Sequence, residues 1–109
     1  MNDPRNTGKN NHPLTDINQI IHAPARLRIL ALLYIVTSLD YVFLKNQTDF
    51  SWGNLATHLK KLEQAGYISI HKGYLGKKPQ SKIQLTDQGR KAFQNYKKSL
   101  QQVLDDLPD

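Results

Sequence analysis

The spacing of hydrophobic and polar positions changes several times along this chain, and each change marks an element. Residues 1–13 mix Gly, Pro, Asn and charge without an apolar period, which predicts a flexible tail. From Thr15-Asp16 onward, Ile17, Ile20 and Ile21 fall at helical spacing and predict a short amphipathic helix, interrupted by His22-Ala23-Pro24. Proline suits the first turn of a helix, where its missing N–H costs nothing, so a second helix is expected from Pro24 to Val36. Leu27, Ile29, Leu30, Leu32, Leu33, Ile35 and Val36 make it apolar almost all round, as in a helix covered on two sides. Asp40 can cap a third helix, Tyr41 to about Thr48, with Tyr41 and Leu44 inward. Ser51 caps a fourth, which ends at Gly66, a residue suited to the left-handed position after a helix. Its Leu55, Leu59 and Leu62 form one narrow stripe.

After Gly66 the period becomes two. Ile68 and Ile70 alternate with Ser69 and His71, and Ile83 and Leu85 with Lys82 and Gln84. The residues between, Gly73 to Ser81, are rich in Gly, Pro and Lys, so the two strands should form a hairpin with a basic, mobile tip. Thr86 caps a last helix, Asp87 to about Leu107, in which Phe93, Tyr96, Leu100, Val103 and Leu107 step by three and four. The expected fold is mainly α with a small β-hairpin. The order helix, helix, turn, helix, hairpin, helix is that of a winged helix-turn-helix: a three-helix core and a wing, with flanking N- and C-terminal helices. Residues 14–109 make one such domain, and 86–107 form its dimerisation helix.

In this arrangement helix 41–48 braces the sugar-phosphate backbone and helix 51–66 lies in the major groove. Opposite the leucine stripe, that helix presents Asn54, Thr57, Lys60, Lys61 and Gln64, with Gly53 at its start and no acidic residue. Asn54 and Thr57 lie on the first turns, where base edges are reached. Lys60 and Lys61 lie further back, better placed for phosphates.

Composition sharpens this picture. Hydrophobic residues are 39% and charged residues 22% of the chain, as in a folded domain, and the net charge is +6. Residues 51–85 carry Lys60, Lys61, Lys72, Lys77, Lys78 and Lys82 against Glu63 alone, so five of the six net charges fall in one third of the chain. A charge run is commonly a solvated face, but one this one-sided also has the form of an electrostatic footprint for phosphate. Cysteine is absent, which removes disulfides, thiol redox sensing and thiolate metal sites. The longest apolar run, Ile29 to Val36, is too short for a membrane span, and the polar N-terminus lacks a secretory h-region, so a cytoplasmic location is expected.

Three stretches, Ala25-Arg26-Leu27-Arg28-Ile29-Leu30, Asn54 through Gly66-Tyr67, and Leu85-Thr86-Asp87-Gln88-Gly89-Arg90, resemble the single-domain winged-helix regulators related to MarR and ArsR proteins. The resemblance runs from about Asp16 to Tyr96. It implies a homodimer bound to a pseudo-palindromic double-stranded DNA operator, usually as a repressor. The chain departs from the ArsR metal-sensing pattern, having no cysteine near helix 41–48, and Thr48 stands where a core leucine is expected.

Within this frame the candidate DNA contacts are Ser51, Trp52, Asn54, Thr57, His58, Lys60, Lys61, Lys77, Lys78, Gln80 and Lys82. Lys77 and Lys78, bracketed by Gly76 and Pro79, are the flexible cations that a wing over the minor groove needs, and the wing spans 73–82. His58, flanking the leucine stripe, is divided between phosphate contact and a hydrogen-bonded, half-buried place. Trp52 is divided between stacking on DNA and packing on Phe50 and the end of helix 41–48. Arg26 and Arg28 are divided between phosphates and pairing with Asp40 or Asp49. The seam Phe93, Tyr96, Leu100, Val103 and Leu107 is divided between packing on the chain's own helix 24–36 and a two-fold interface; with Ile17, Ile20 and Ile21 also needing cover, a dimer interface of all eight residues is expected.

Other classes fit less well. The four histidines lie in different elements with no metal-ligand spacing, and no glycine-rich phosphate loop follows a strand, so no catalytic residue, metal site or cofactor is expected. A protein-interaction module, the main alternative, would show an apolar or acidic outward face on helix 51–66. RNA binding would want an exposed aromatic platform, and membrane attachment a free apolar face.

Overall fold

The computed structural model describes residues 17–109; the expected tail 1–13 and the Thr15-Asp16 start of the first helix lie outside the described residues. The elements are α1 (Pro24–Val36), β1 (Ser38–Asp40), α2 (Tyr41–Asn46), α3 (Trp52–Gln64), β2 (Ile68–Leu75), β3 (Lys78–Leu85) and α4 (Asp87–Asp105). The architecture is a winged helix: a helical core carrying a three-stranded antiparallel sheet of order β1-β3-β2.

The caps sit where the side-chain chemistry requires. The Asp40 carboxylate accepts from the N–H groups of Val42 and Phe43, and the Ser51 hydroxyl accepts from Asn54 N–H, each satisfying donors that a helix start leaves free. α3 ends in a Schellman turn. Gly66, at φ +83°, lets Tyr67 N–H reach Leu62 C=O at 3.0 Å and its own N–H reach Glu63 C=O at 2.9 Å. The Thr86 hydroxyl then donates to Gly66 C=O at 2.6 Å and accepts from Gly89 N–H at 2.9 Å, tying the end of α3 to the start of α4.

The core is one cluster. Ile29, Leu30 and Leu33 of α1 meet Leu44 of α2, Leu55, Leu59 and Leu62 of α3, Ile68, Ile83 and Leu85 of the sheet, and Tyr96 of α4. Thr48 is buried in leucine's place because its hydroxyl donates back to Leu44 C=O at 3.1 Å, so its one polar atom is satisfied. α1 is covered along most of its length, but its last two residues stand bare, Ile35 at 79% and Val36 at 49% exposure.

Four expectations change. Residues 17–22 form turns and not a helix, because the Asn18 side-chain oxygen accepts from the N–H groups of both Ile20 and Ile21 and bends the chain. Ile17 and Ile21 are thereby buried in the chain's own core. α2 stops at Asn46 and α4 at Asp105, each about two residues early. A third strand, β1, pairs Leu39 with Ile83; three residues are too few to show alternation. The wing is also more ordered than its composition predicts. β2 and β3 pair from Ile68↔Leu85 to Leu75↔Lys78, leaving only Gly76-Lys77 as the turn. Gly76 has φ +65° and Lys77 does not share a positive φ, the pattern of a type II′ hairpin. Pro79 is tolerated because it sits opposite Tyr74, one step from the closing pair, where alternation turns its nitrogen away from β2, and β1 reaches only Lys82.

Candidate nucleic-acid interface

α3 buries Leu55, Leu59 and Leu62, and the opposite face is open. Asn54, Thr57, Lys60, Lys61 and Gln64 are all exposed, with Gly53 beside them. The Thr57 hydroxyl donates to Gly53 C=O at 2.9 Å, which orients its oxygen while leaving a lone pair outward. The two flanks of the helix differ. On one, His58 is half-buried, its Nδ1 3.3 Å from an Arg26 terminal nitrogen and its ring 6.0 Å from that of Phe50. Burial, then the charges of Arg26 and Lys61, push its pKa below 6.5. This is the hydrogen-bonded, half-buried place, and it draws His58 away from the open face.

On the other flank, Trp52 packs on α2. Its ring stacks on Tyr41 of α2 at 5.9 Å with planes 24° apart, and the Lys45 ammonium lies 5.2 Å from its centre. The residue nonetheless remains 54% exposed.

Arg26 is a strut. It donates to Ile20 C=O at 2.5 Å and Gln19 C=O at 3.4 Å, holding the turn before α1 against α3. Arg28 lies over the Phe50 ring at 5.3 Å. Lys45 is a basic neighbour of α3 absent from the expected DNA-facing residues; no spacing signal marks it, because its place beside Trp52 depends on how α2 crosses α3.

On the wing, Lys77 and Lys78 are exposed at the tip. Alternation along β3 puts Lys78, Gln80 and Lys82 on one face, opposite the face that carries Ile83 and Leu85. Gln80 is half-buried and Lys82 exposed, with His71 paired across from Lys82.

The expected dimer residues separate. Tyr96 is buried beneath the domain, its hydroxyl 3.0 Å from His22 Nδ1, so with Ile17 and Ile21 it is absorbed by the chain's own core. Ile20, Phe93, Leu100 and Val103 are partly buried against that core. Leu107, and Leu104 beside it, stand clear at 60% and 53% exposure.

A core, a capped helix with a polar and basic open face, and a paired wing define a DNA-binding winged-helix protein. A model of the winged helix DNA-binding domain matches residues 25–104, and the chain belongs to that family. It is 37% identical, over 78 residues (72% of this chain, 85% of the relative), to an uncharacterized protein of Methanocaldococcus jannaschii. A transcriptional regulator homologue protein from Pyrococcus horikoshii OT3 matches with a TM-score of 0.80 and 27% identity, over 87% of this chain and 98% of that one. Overoxidized AbfR bound to DNA matches with a TM-score of 0.69 and 22% identity, over 90% and 69% of the two chains. An ArsR family transcriptional regulator matches at 0.57 and 18%, over 88% and 94%. The last two show the fold alone. Family and fold together make this chain a winged-helix DNA-binding protein, with a fold shared by transcriptional regulators. No helix of the described residues is long and apolar enough to cross a membrane.

Proposed function

We propose that the protein represses transcription as a cytoplasmic homodimer on a pseudo-palindromic operator, with α3 in the major groove and the wing on the adjacent backbone or minor groove. The observation that carries this reading is the face of α3 opposite its buried leucines, where Asn54, Thr57, Lys60, Lys61 and Gln64 are all polar or cationic and exposed. Asn54 and Thr57 reach base edges. Lys60 and Lys61 hold phosphates behind them, and Lys77, Lys78 and Lys82 add the sequence-independent attraction. A structural neighbour, AbfR, is itself bound to DNA.

The dimer reading now rests on the far end of α4. Leu104 and Leu107 are exposed, and an open apolar groove runs between Leu27 of α1 and Phe93, Leu100 and Leu104 of α4. A second copy of α4 in that groove relates the two recognition helices by a two-fold axis, with half-sites about 34–36 Å apart. Selection from a random duplex library tests the readout. Asn54→Ala and Thr57→Ala should relax base preference by about 1–3 kcal/mol for each base edge no longer read, while leaving non-specific affinity largely intact. An identical preferred site for wild type and both variants would remove α3 from base readout.

A further inference from the structure

We propose that Trp52 reads the C5-methyl group of a thymine in the operator, an inference that rests on α3 being the helix that enters the major groove. Most base-edge features in that groove are hydrogen-bond donors and acceptors; the thymine methyl is its apolar feature. α3 carries polar and cationic side chains suited to the former and one large apolar side chain left bare, on its first turn.

That side chain is held ready. The Tyr41 ring supports it at 5.9 Å in a near-parallel stack, and the Lys45 ammonium sits 5.2 Å from its centre, so little side-chain freedom is left to lose on binding. The ground beside it is open. A Cβ added at Gly53 would meet nothing within 4 Å, Ala56 one turn on is small and exposed, and the first turn has no acidic residue to repel a base edge or phosphate. Lys45 supplies positive charge at the same point, which favours a phosphate next to the base that the indole touches. Trp52, 54% exposed in the free protein, thus has a partner of matching chemistry in the groove, and contact with the methyl removes apolar surface from water on both sides.

Replacing thymine by uracil deletes that methyl and leaves base pairing unchanged. In the site selected by the wild-type protein, each thymine is replaced in turn and affinity is measured by fluorescence anisotropy at fixed salt. One position per half-site should lose about four-fold, the factor that burying one methyl-sized group is worth. At that position the uracil replacement should have no effect on Trp52→Ala, or on Trp52→Gln if the alanine variant does not fold. Trp52 is the chain's single tryptophan, so its emission offers a readout on unaltered protein: the thymine and uracil duplexes should change it differently. A sequence-specific site in which no thymine-to-uracil loss depends on Trp52, with emission changes alike for both duplexes, overturns the inference and leaves major-groove readout standing; the indole then lies on a sugar or stays on Tyr41. Failure to select any sequence would overturn the readout and this inference with it.

Discussion

Replacing Gly89 by alanine should loosen the joint between α3 and α4. A Cβ at Gly89 would lie 2.1 Å from Tyr67 C=O oxygen, where ordinary contact begins at 3.4 Å, and 2.8 Å and 2.9 Å from the carbon and Cα of the same residue. These are backbone atoms, so no side chain can swing aside. The struck oxygen also accepts from Thr86 N–H at 3.0 Å, and Thr86 in turn holds Gly66. Overpacking of this kind costs about 1–3 kcal/mol, and each weakened hydrogen bond adds about 1 kcal/mol. Alanine's better helix propensity returns about 1 kcal/mol. The net expectation is a loss of about 2 kcal/mol, a fall in Tm on the order of 10 °C for a domain of this size. Gly53→Ala is the control, because its Cβ meets nothing and propensity alone should leave stability equal or slightly raised. Urea and thermal melts of the two variants decide the matter. A Gly89→Ala protein as stable as wild type would show that the close approach does not constrain the fold.

At the wing, Lys77→Ala with Lys78→Ala should weaken binding to all duplexes alike and lower the slope of log K against log salt by about 0.9 for each phosphate no longer neutralised; an unchanged slope in a salt titration shows that the tip does not touch DNA. His58, its pKa lowered by burial, Arg26 and Lys61, binds a proton more readily in the unfolded chain, so native stability is full above pH 6.5 and falls as pH drops from there through the folded value. His58→Gln should flatten that fall in urea melts between about pH 7.5 and 5, and identical pH profiles would refute the coupling. Thr37 ends α1 with φ +70° and ψ −39°, a strained place for a β-branched residue, so Thr37→Gly should raise the melting midpoint by an amount corresponding to roughly 1 kcal/mol; a lower midpoint contradicts the strain. Leu104→Asp should leave a folded monomer of lowered operator affinity, and a wild-type mass of 12.5 kDa in light scattering at micromolar concentration would refute the dimer.

Much of the fold is local and therefore legible in the amino-acid order. The caps at Asp40, Ser51 and Thr86 act on N–H groups two or three residues away, and the leucine stripe of α3 follows from helical period alone. Once that stripe is buried, the polar face opposite it must be the open one. Gly66 marks the end of α3 because few other residues accept its positive φ.

Tertiary structure decided what depends on partners distant in sequence. β1 exists only because Ser38 to Asp40 finds β3 some forty residues on, and the wing's length follows from backbone pairing, which needs no apolar pattern when both faces meet water. Ile17, Ile21 and Tyr96 show the same limit from the other side. Their spacing announces an apolar face but not what covers it, and an Asn18 turn folds the two isoleucines into the chain's own core. The environments of Trp52 and His58 were likewise undetermined in sequence, because they are set by Tyr41, Lys45, Arg26 and Phe50, brought there by helix crossings. Local period and capping determine which elements form and which face of each is apolar; only the packing of those elements decides which apolar faces are already covered and which remain for a partner.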